Sequence, residues 1–162
     1  MPTNIENKIR AILLPTDDKE GWNESIKSLN RDEALPVLIR MMRDPQENSK
    51  TRKLAMLALG IMEDQRALPA IAQVLKSGDP DMRAWAAYSL GQFGSLGNET
   101  MQSLVQALND DNYLVRELSA KTLGNQKYAE ALPALEHMKD ADSEETNKKI
   151  AKLAIDNILG IA

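Results

Sequence analysis

A chain of 162 residues holds one ordinary globular domain or about five short structural repeats, and at 43% hydrophobic residues it lies outside the disordered class. Aromatics make up only 4%, so the core has to be built from Leu, Ile, Met and Ala, which favour helices over strands. The absence of cysteine excludes disulfides, thiolate nucleophiles, iron–sulfur clusters and Cys-type zinc sites, and the net charge of −4 provides no global field for nucleic acid or anionic lipid.

The N-terminal stretch to Glu20 has no uninterrupted apolar run approaching the roughly 18–20 residues of a membrane span, and no signal-type apolar core. A soluble cytoplasmic protein is the expectation, with the Asn23 and Asn98 glycosylation triplets as chance matches. Residues 4–31 read as a divergent helix pair, because Ser25, Ser28, Leu29 and Asn30 stand thirty residues before Ala55, Ala58, Leu59 and Gly60.

From there one pattern recurs. Arg52, Arg83 and Arg116 are each followed by a small residue three places on, another six places on, then Leu and Gly: Ala55, Ala58, Leu59, Gly60; Ala86, Ser89, Leu90, Gly91; Ser119, Thr122, Leu123, Gly124. The arginines are 31 and 33 residues apart, a period that marks stacked helical hairpins, none of which buries its apolar face alone. A second motif precedes each: Ala34-Leu35-Pro36, Ala67-Leu68-Pro69 and Ala131-Leu132-Pro133, with Thr100-Met101-Gln102 at the intervening place. Proline suits a first helical turn, so Ala-Leu-Pro predicts where each first helix begins. Asp44-Pro45, Gly78-Asp79-Pro80 and Asp110-Asp111-Asn112 predict the turns before the second helices, and the repeated Gly predicts a left-handed cap at each end.

The reading is one domain over 1–162, with repeats at 34–66, 67–99 and 100–130 between the pair 4–31 and a degenerate unit 131–160. In that unit Lys148, Ala151, Ala154 and Ile155 replace the motif and Asp156 stands where Gly would.

The Ala-Leu-Pro opening, the Asp-rich turn and the Arg-x-x-small-x-x-small-Leu-Gly helix resemble HEAT repeats, of the short type named after phycobilisome lyases. The resemblance implies an all-α, right-handed α-solenoid of about five antiparallel pairs, with the second helices lining the concave surface. It implies little about activity, because the family includes bilin lyases, phycobilisome-degradation factors, an iron-dependent hydroxylase and many adaptors.

Arg83 projects within about 20° of Leu90 on a helical wheel, towards the packed side, where a cation needs anionic partners. Asp44, Asp79 or Asp81, and Asp110 or Asp111 of the preceding turns are the expected partners, within a repeat or across to the next, in an Asp–Arg ladder that fixes repeat stacking, a ligand site being the alternative. No metal centre is expected: His137 is the one histidine, and the iron hydroxylases' recurring His-Glu pairs are replaced here by Lys53-Leu54, Ala84-Trp85 and Glu117-Leu118. Asp17-Asp18, Asp110-Asp111 and the Asp140/Asp142 pair read as turn or cap carboxylates. Gly91, Gly94 and Gly97 follow a helix and are no dinucleotide fingerprint. No catalytic residue and no cofactor is expected.

Trp85, Tyr88 and Gln92 project about 140–160° away from Leu90, on the far side of the second helix. One column across the repeats is Leu54, Trp85, Leu118 and Ile150, and the column beside it is Leu57, Tyr88, Lys121 and Leu153. The first is open to two readings, side chains stacked on one another or a sticky stripe, whereas Lys121 breaks the apolar run of the second and favours partner contact. The leading expectation is a non-enzymatic adaptor gripping a protein or peptide. Trp85 and Tyr88 are its anchors, Leu54, Leu57 and Leu118 their apolar neighbours, Gln92 lies on the same face, and Lys53, Lys121 and Glu117 form the polar surround. The alternative is a phycobilisome-related factor, lyase-like or antenna-dismantling. Nucleic acid is not an expected partner, because Lys53, Lys121 and Lys152 make no basic stripe, and a monomer is favoured.

Overall fold

Capping side chains set half of the α-helix starts. Asn30 accepts from the Asp32 and Glu33 amides, Asn48 from Thr51, Asp79 from Met82 and Asn112 from Leu114, each supplying an acceptor to donors that the first turn leaves without intrahelical partners. The computed structural model describes residues 4–14 and 17–161. Residues 1–3, 15–16 and 162, which the sequence reading assigns to the single domain and, for 15 and 16, to the first pair, lie outside the described residues.

The described residues form ten α-helices and no strand. They are α1 (Asn4–Ile12), α2 (Lys19–Lys27), α3 (Arg31–Arg43), α4 (Ser49–Met62), α5 (Leu68–Ser77), α6 (Pro80–Leu90), α7 (Asn98–Ala107), α8 (Tyr113–Asn125), α9 (Leu132–Ala141) and α10 (Glu145–Leu159). Successive helices pair, and each even-numbered helix packs on the next even-numbered one, so the chain is an α-solenoid. One continuous core runs through it, with Ile9, Ile26, Leu38, Met56, Leu90 and Leu135 among its buried side chains.

Two local expectations need correction. Ala34-Leu35-Pro36 does not open a helix: α3 begins at Arg31 and encloses Pro36, because Asn30 caps the chain one turn earlier. Ala67 and Ala131 do precede α-helices with proline in the first turn, each after a short 3₁₀ turn, Gln65–Ala67 and Ala129–Ala131.

The repeated glycines are not left-handed caps. Gly60 and Gly124 lie inside α4 and α8, and Gly91 follows α6 with φ −64°, while the positive φ values fall at Glu63, Lys127 and Gly160. Their role is contact. A Cβ on Gly60 would stand 2.8 Å from the Ser89 carbonyl oxygen, one on Gly91 2.9 Å from Thr122 Oγ1, and one on Gly124 2.7 Å from Ala154 Cα. Each motif glycine thus lets one second helix approach the next. The odd-numbered helices touch their counterparts less closely, and a stack spaced more tightly on one layer curves towards that layer. The even-numbered helices therefore form the inner face.

Candidate functional site: an aromatic groove on the inner face

The motif arginines are occupied by structure. Arg83 reaches Asp110 through Nε at 2.7 Å and Nη2 at 2.8 Å, and Arg116 reaches Asp142 in the same way at 2.6 and 2.9 Å. These carboxylates belong to the turn of the following repeat; what the preceding turn supplies is backbone carbonyls, Gly78 to Arg83 and Asp110 and Asp111 to Arg116. Of the two expected arrangements, within a repeat or across to the next, the carboxylate contact is the second, with the preceding-turn carboxylates corrected to those of the following turn: the arginine spans the junction between hairpins, where its flat donor fork matches a carboxylate in two places at once. Arg52 makes only the carbonyl half of this arrangement, to Met42.

The charges report the pairing. Arg116 holds the Asp142 carboxyl below the ordinary aspartate range, against the opposing effect of burial. Burial pushes Asp110 upward more than any other single influence, but the hydrogen bonds and charge of Arg83, the Asn112 amide and Asp111 act the other way and the net direction is down. Both arginines are correspondingly raised.

With the arginines spent on stacking, the inner face is left to the side chains opposite Leu90. Trp85 and Tyr88 lie one turn apart on α6 and meet edge to face, with ring centroids 5.8 Å apart and planes at 78°. Tyr88 is exposed at 42%, whereas Trp85 is half-buried against the core. On one side of the pair opens a groove of about 540 Å³, floored by Leu54, Leu57 and Ile61 of α4 and closed by Trp22 of α2. Lys19, Asn23, Lys50 and Gln92 rim it. On the other side a shallower apolar recess of about 280 Å³ lies between the aromatic pair and Ala84, Leu114 and Leu118.

The structure therefore brings Leu54, Leu57, Trp85, Tyr88 and Gln92 into one groove and Leu118 into its continuation. The first column is half-buried at Leu54, Trp85 and Leu118 and buried at Ile150; its side chains pack on the core and line the surface at once. Leu153, in the second column, is 61% exposed on α10. Lys53 and Lys121 stand outside both cavities. Lys53 pairs with Asp81 of the next second helix, and Lys121 with Glu117 one turn back at 2.5 Å.

Trp22, Lys19 and Lys50 were not legible as site residues. Trp22 takes the place thirty residues before Arg52, in a helix too divergent for the repeat to predict its facing; there its indole Nε1 donates to the Ile12 carbonyl at 2.8 Å. The available signal was one of the chain's two tryptophans, in a helix whose one other large apolar residue is Ile26. Among the described residues no group of His, Cys, Asp and Glu is disposed to hold a metal, and no helix is long and apolar enough to cross a membrane.

The family model for HEAT repeats matches residues 23–91 and 68–156. No curated protein matches the chain. Among solved structures, that of the complex of CpcE and CpcF of phycocyanin lyase from Nostoc sp. PCC7120 is similar at 18% identity and a TM-score of 0.72, covering 93% of this chain and 96% of that one. A designed armadillo repeat protein in complex with the peptide (KR)4 is similar at 18% identity and a TM-score of 0.61, over 95% and 81% of the two chains. Computationally designed armadillo repeat proteins for modular peptide recognition reach 16% identity and a TM-score of 0.61, over 94% and 81%.

Proposed function

This chain belongs to the HEAT-repeat family, and from that premise we propose that it is a non-enzymatic scaffold that binds a protein segment along its inner face. The observation that carries the reading is the groove itself: an apolar floor from α4 beside an edge-to-face aromatic pair from α6, half-buried Trp85 and exposed Tyr88, with no described residue covering it. Exposed contiguous apolar surface of this kind marks interaction sites, and Trp and Tyr are the side chains that most often dominate them. The peptide complex and the peptide-recognition designs that share the fold support a peptide-binding use of it. The absence of carboxylate, imidazole and thiol from the groove lining supports binding without acid–base or nucleophilic chemistry.

The test is affinity purification from the native host with wild type, a Trp85→Ala/Tyr88→Ala double variant, and a Gln73→Ala/Gln106→Ala variant on the outer face as a control. Partners lost only from the groove variant support the reading; partners retained by it overturn the reading.

A second reading has one observation in its favour, the likeness to the CpcE and CpcF complex over nearly the whole of both chains. On that reading the protein is a phycobilisome-related factor and the groove between Trp22, Trp85 and Tyr88 takes a tetrapyrrole. An absorption spectrum recorded after mixing with free bilin separates the two: a shifted and sharpened visible band lost in Trp85→Ala supports the tetrapyrrole, and an unchanged spectrum removes it.

A further inference from the structure

The lining of the groove is charged with one sign, and this says what occupies it. We propose that the docked segment presents apolar side chains flanked by carboxylates, and that Lys19 and Lys50 are the residues that select it. The proposal rests on the docking reading above and adds the chemistry of the partner.

Acidic residues outnumber basic ones in this chain, 24 to 20, yet no carboxylate lines the groove and the charged groups that do are two lysines. Both are exposed, and neither is in an ion pair among the described residues. Lys53 and Lys121, by contrast, are each neutralised by a carboxylate of the protein itself. Placement argues in the same direction. Lys19 is the first residue of α2 and Lys50 the second of α4, where the positive end of a helix favours an acid over a cation. Local helix stability gives no reason for either lysine. Asp18 caps α2 through the Gly21 amide, and its carboxylate is not among the groups that line the groove.

Shape decides between a segment and a compact ligand. The groove is open along its length, and past the Trp85–Tyr88 pair the apolar surface continues to Leu114 and Leu118, so that it crosses α2, α4, α6 and α8. Small-molecule sites instead enclose most of the ligand surface. A chain segment lying across these helices seats its apolar side chains on Leu54, Leu57 and Trp85 and brings a carboxylate to the lysine rim. Asn23 and Gln92 offer amides to its backbone.

The experiment pans a displayed library of random twelve-residue peptides on wild type, on Lys19→Glu/Lys50→Glu and on Tyr88→Ala, then measures the best wild-type peptide by fluorescence anisotropy at low and high salt. All three substitutions are at exposed positions, and glutamate suits both helix starts, so loss of binding is not loss of folding. Expected on wild type is enrichment of peptides combining apolar residues with Asp or Glu, bound at least tenfold more weakly by the double charge variant and by Tyr88→Ala, and weakened by salt. Enrichment with no preference for acids, or binding unchanged by the lysine reversal, overturns the partner chemistry and leaves the groove reading standing. Peptides bound equally by Tyr88→Ala, or no enrichment at all, overturn both.

Discussion

Gly124 and Ala154 approach so closely that a methyl group on Gly124 would lie 2.7 Å from the Ala154 Cα. The atom in the way is backbone, on the neighbouring second helix, so no rotamer change relieves it. Replacing a mid-helix glycine by alanine ordinarily stabilises by about 0.5–1 kcal/mol. Here the sign reverses: Gly124→Ala, and Gly60→Ala against the Ser89 carbonyl, are expected to cost about 1–3 kcal/mol as overpacked contacts. Urea denaturation decides it, and a midpoint at or above wild type would show that glycine does not set the spacing of the inner layer.

Arg116 and Asp142 make the more buried of the two ion pairs between hairpins, with side chains 12% and 3% exposed. Arg116→Ala leaves the carboxylate buried without its cation, an expected loss of about 3–5 kcal/mol. Arg116→Lys recovers only part of this, since an ammonium cannot make the two-point contact. Thermal melts of the three proteins test the order; equal melting temperatures would show that the junction does not depend on the pair.

The same pairs fix the acid limb of stability. Asp110 and Asp142 have folded-state pKa values below the ordinary one, so their contribution is complete above about pH 4, the unfolded value, and is lost as pH falls through the depressed folded value. Unfolding free energy is therefore expected to decline steeply below about pH 4, and Asp142→Asn to flatten that decline. An identical acid slope in the variant would assign the pH dependence to other carboxylates.

Tyr88 and Trp85 separate surface from scaffold. Tyr88→Ala removes an exposed ring and is expected to change stability by no more than about 0.5 kcal/mol. Trp85→Ala also removes contacts with the core, so its cost is greater but below the ~3–5 kcal/mol of a fully buried aromatic. Together they are expected to weaken partner binding by about 2 kcal/mol or more. A Tyr88→Ala protein that melts far below wild type would show the ring to be part of the core.

Duplex DNA is expected to bind no more tightly than the ~10⁻⁴–10⁻⁶ M of non-specific contacts at physiological salt. Nanomolar, sequence-selective binding in a filter or anisotropy assay would contradict the charge argument.

Sequence alone determined the architecture, because a repeated hairpin has to write its packing residues at a fixed spacing: Arg, two small residues, Leu and Gly recur in α4, α6 and α8. It also placed Trp85 and Tyr88 opposite Leu90 and Leu54 and Leu57 opposite Leu59, since helical geometry orients a side chain by its distance in residues from another on the same helix, but left open whether the Leu54–Trp85 column is packed or exposed, and it is half-buried. Tertiary structure alone decided the rest. Gly60, Gly91 and Gly124 look like caps in a linear reading, and only the adjacent helix reveals them as points of contact. Arg83 finds its carboxylate in the turn ahead of it rather than the turn behind, a choice made by stacking. The groove itself draws on Trp22, Lys19 and Lys50, residues outside the repeated motif, whose direction is set by how the divergent α2 docks on α4 and which no local pattern records.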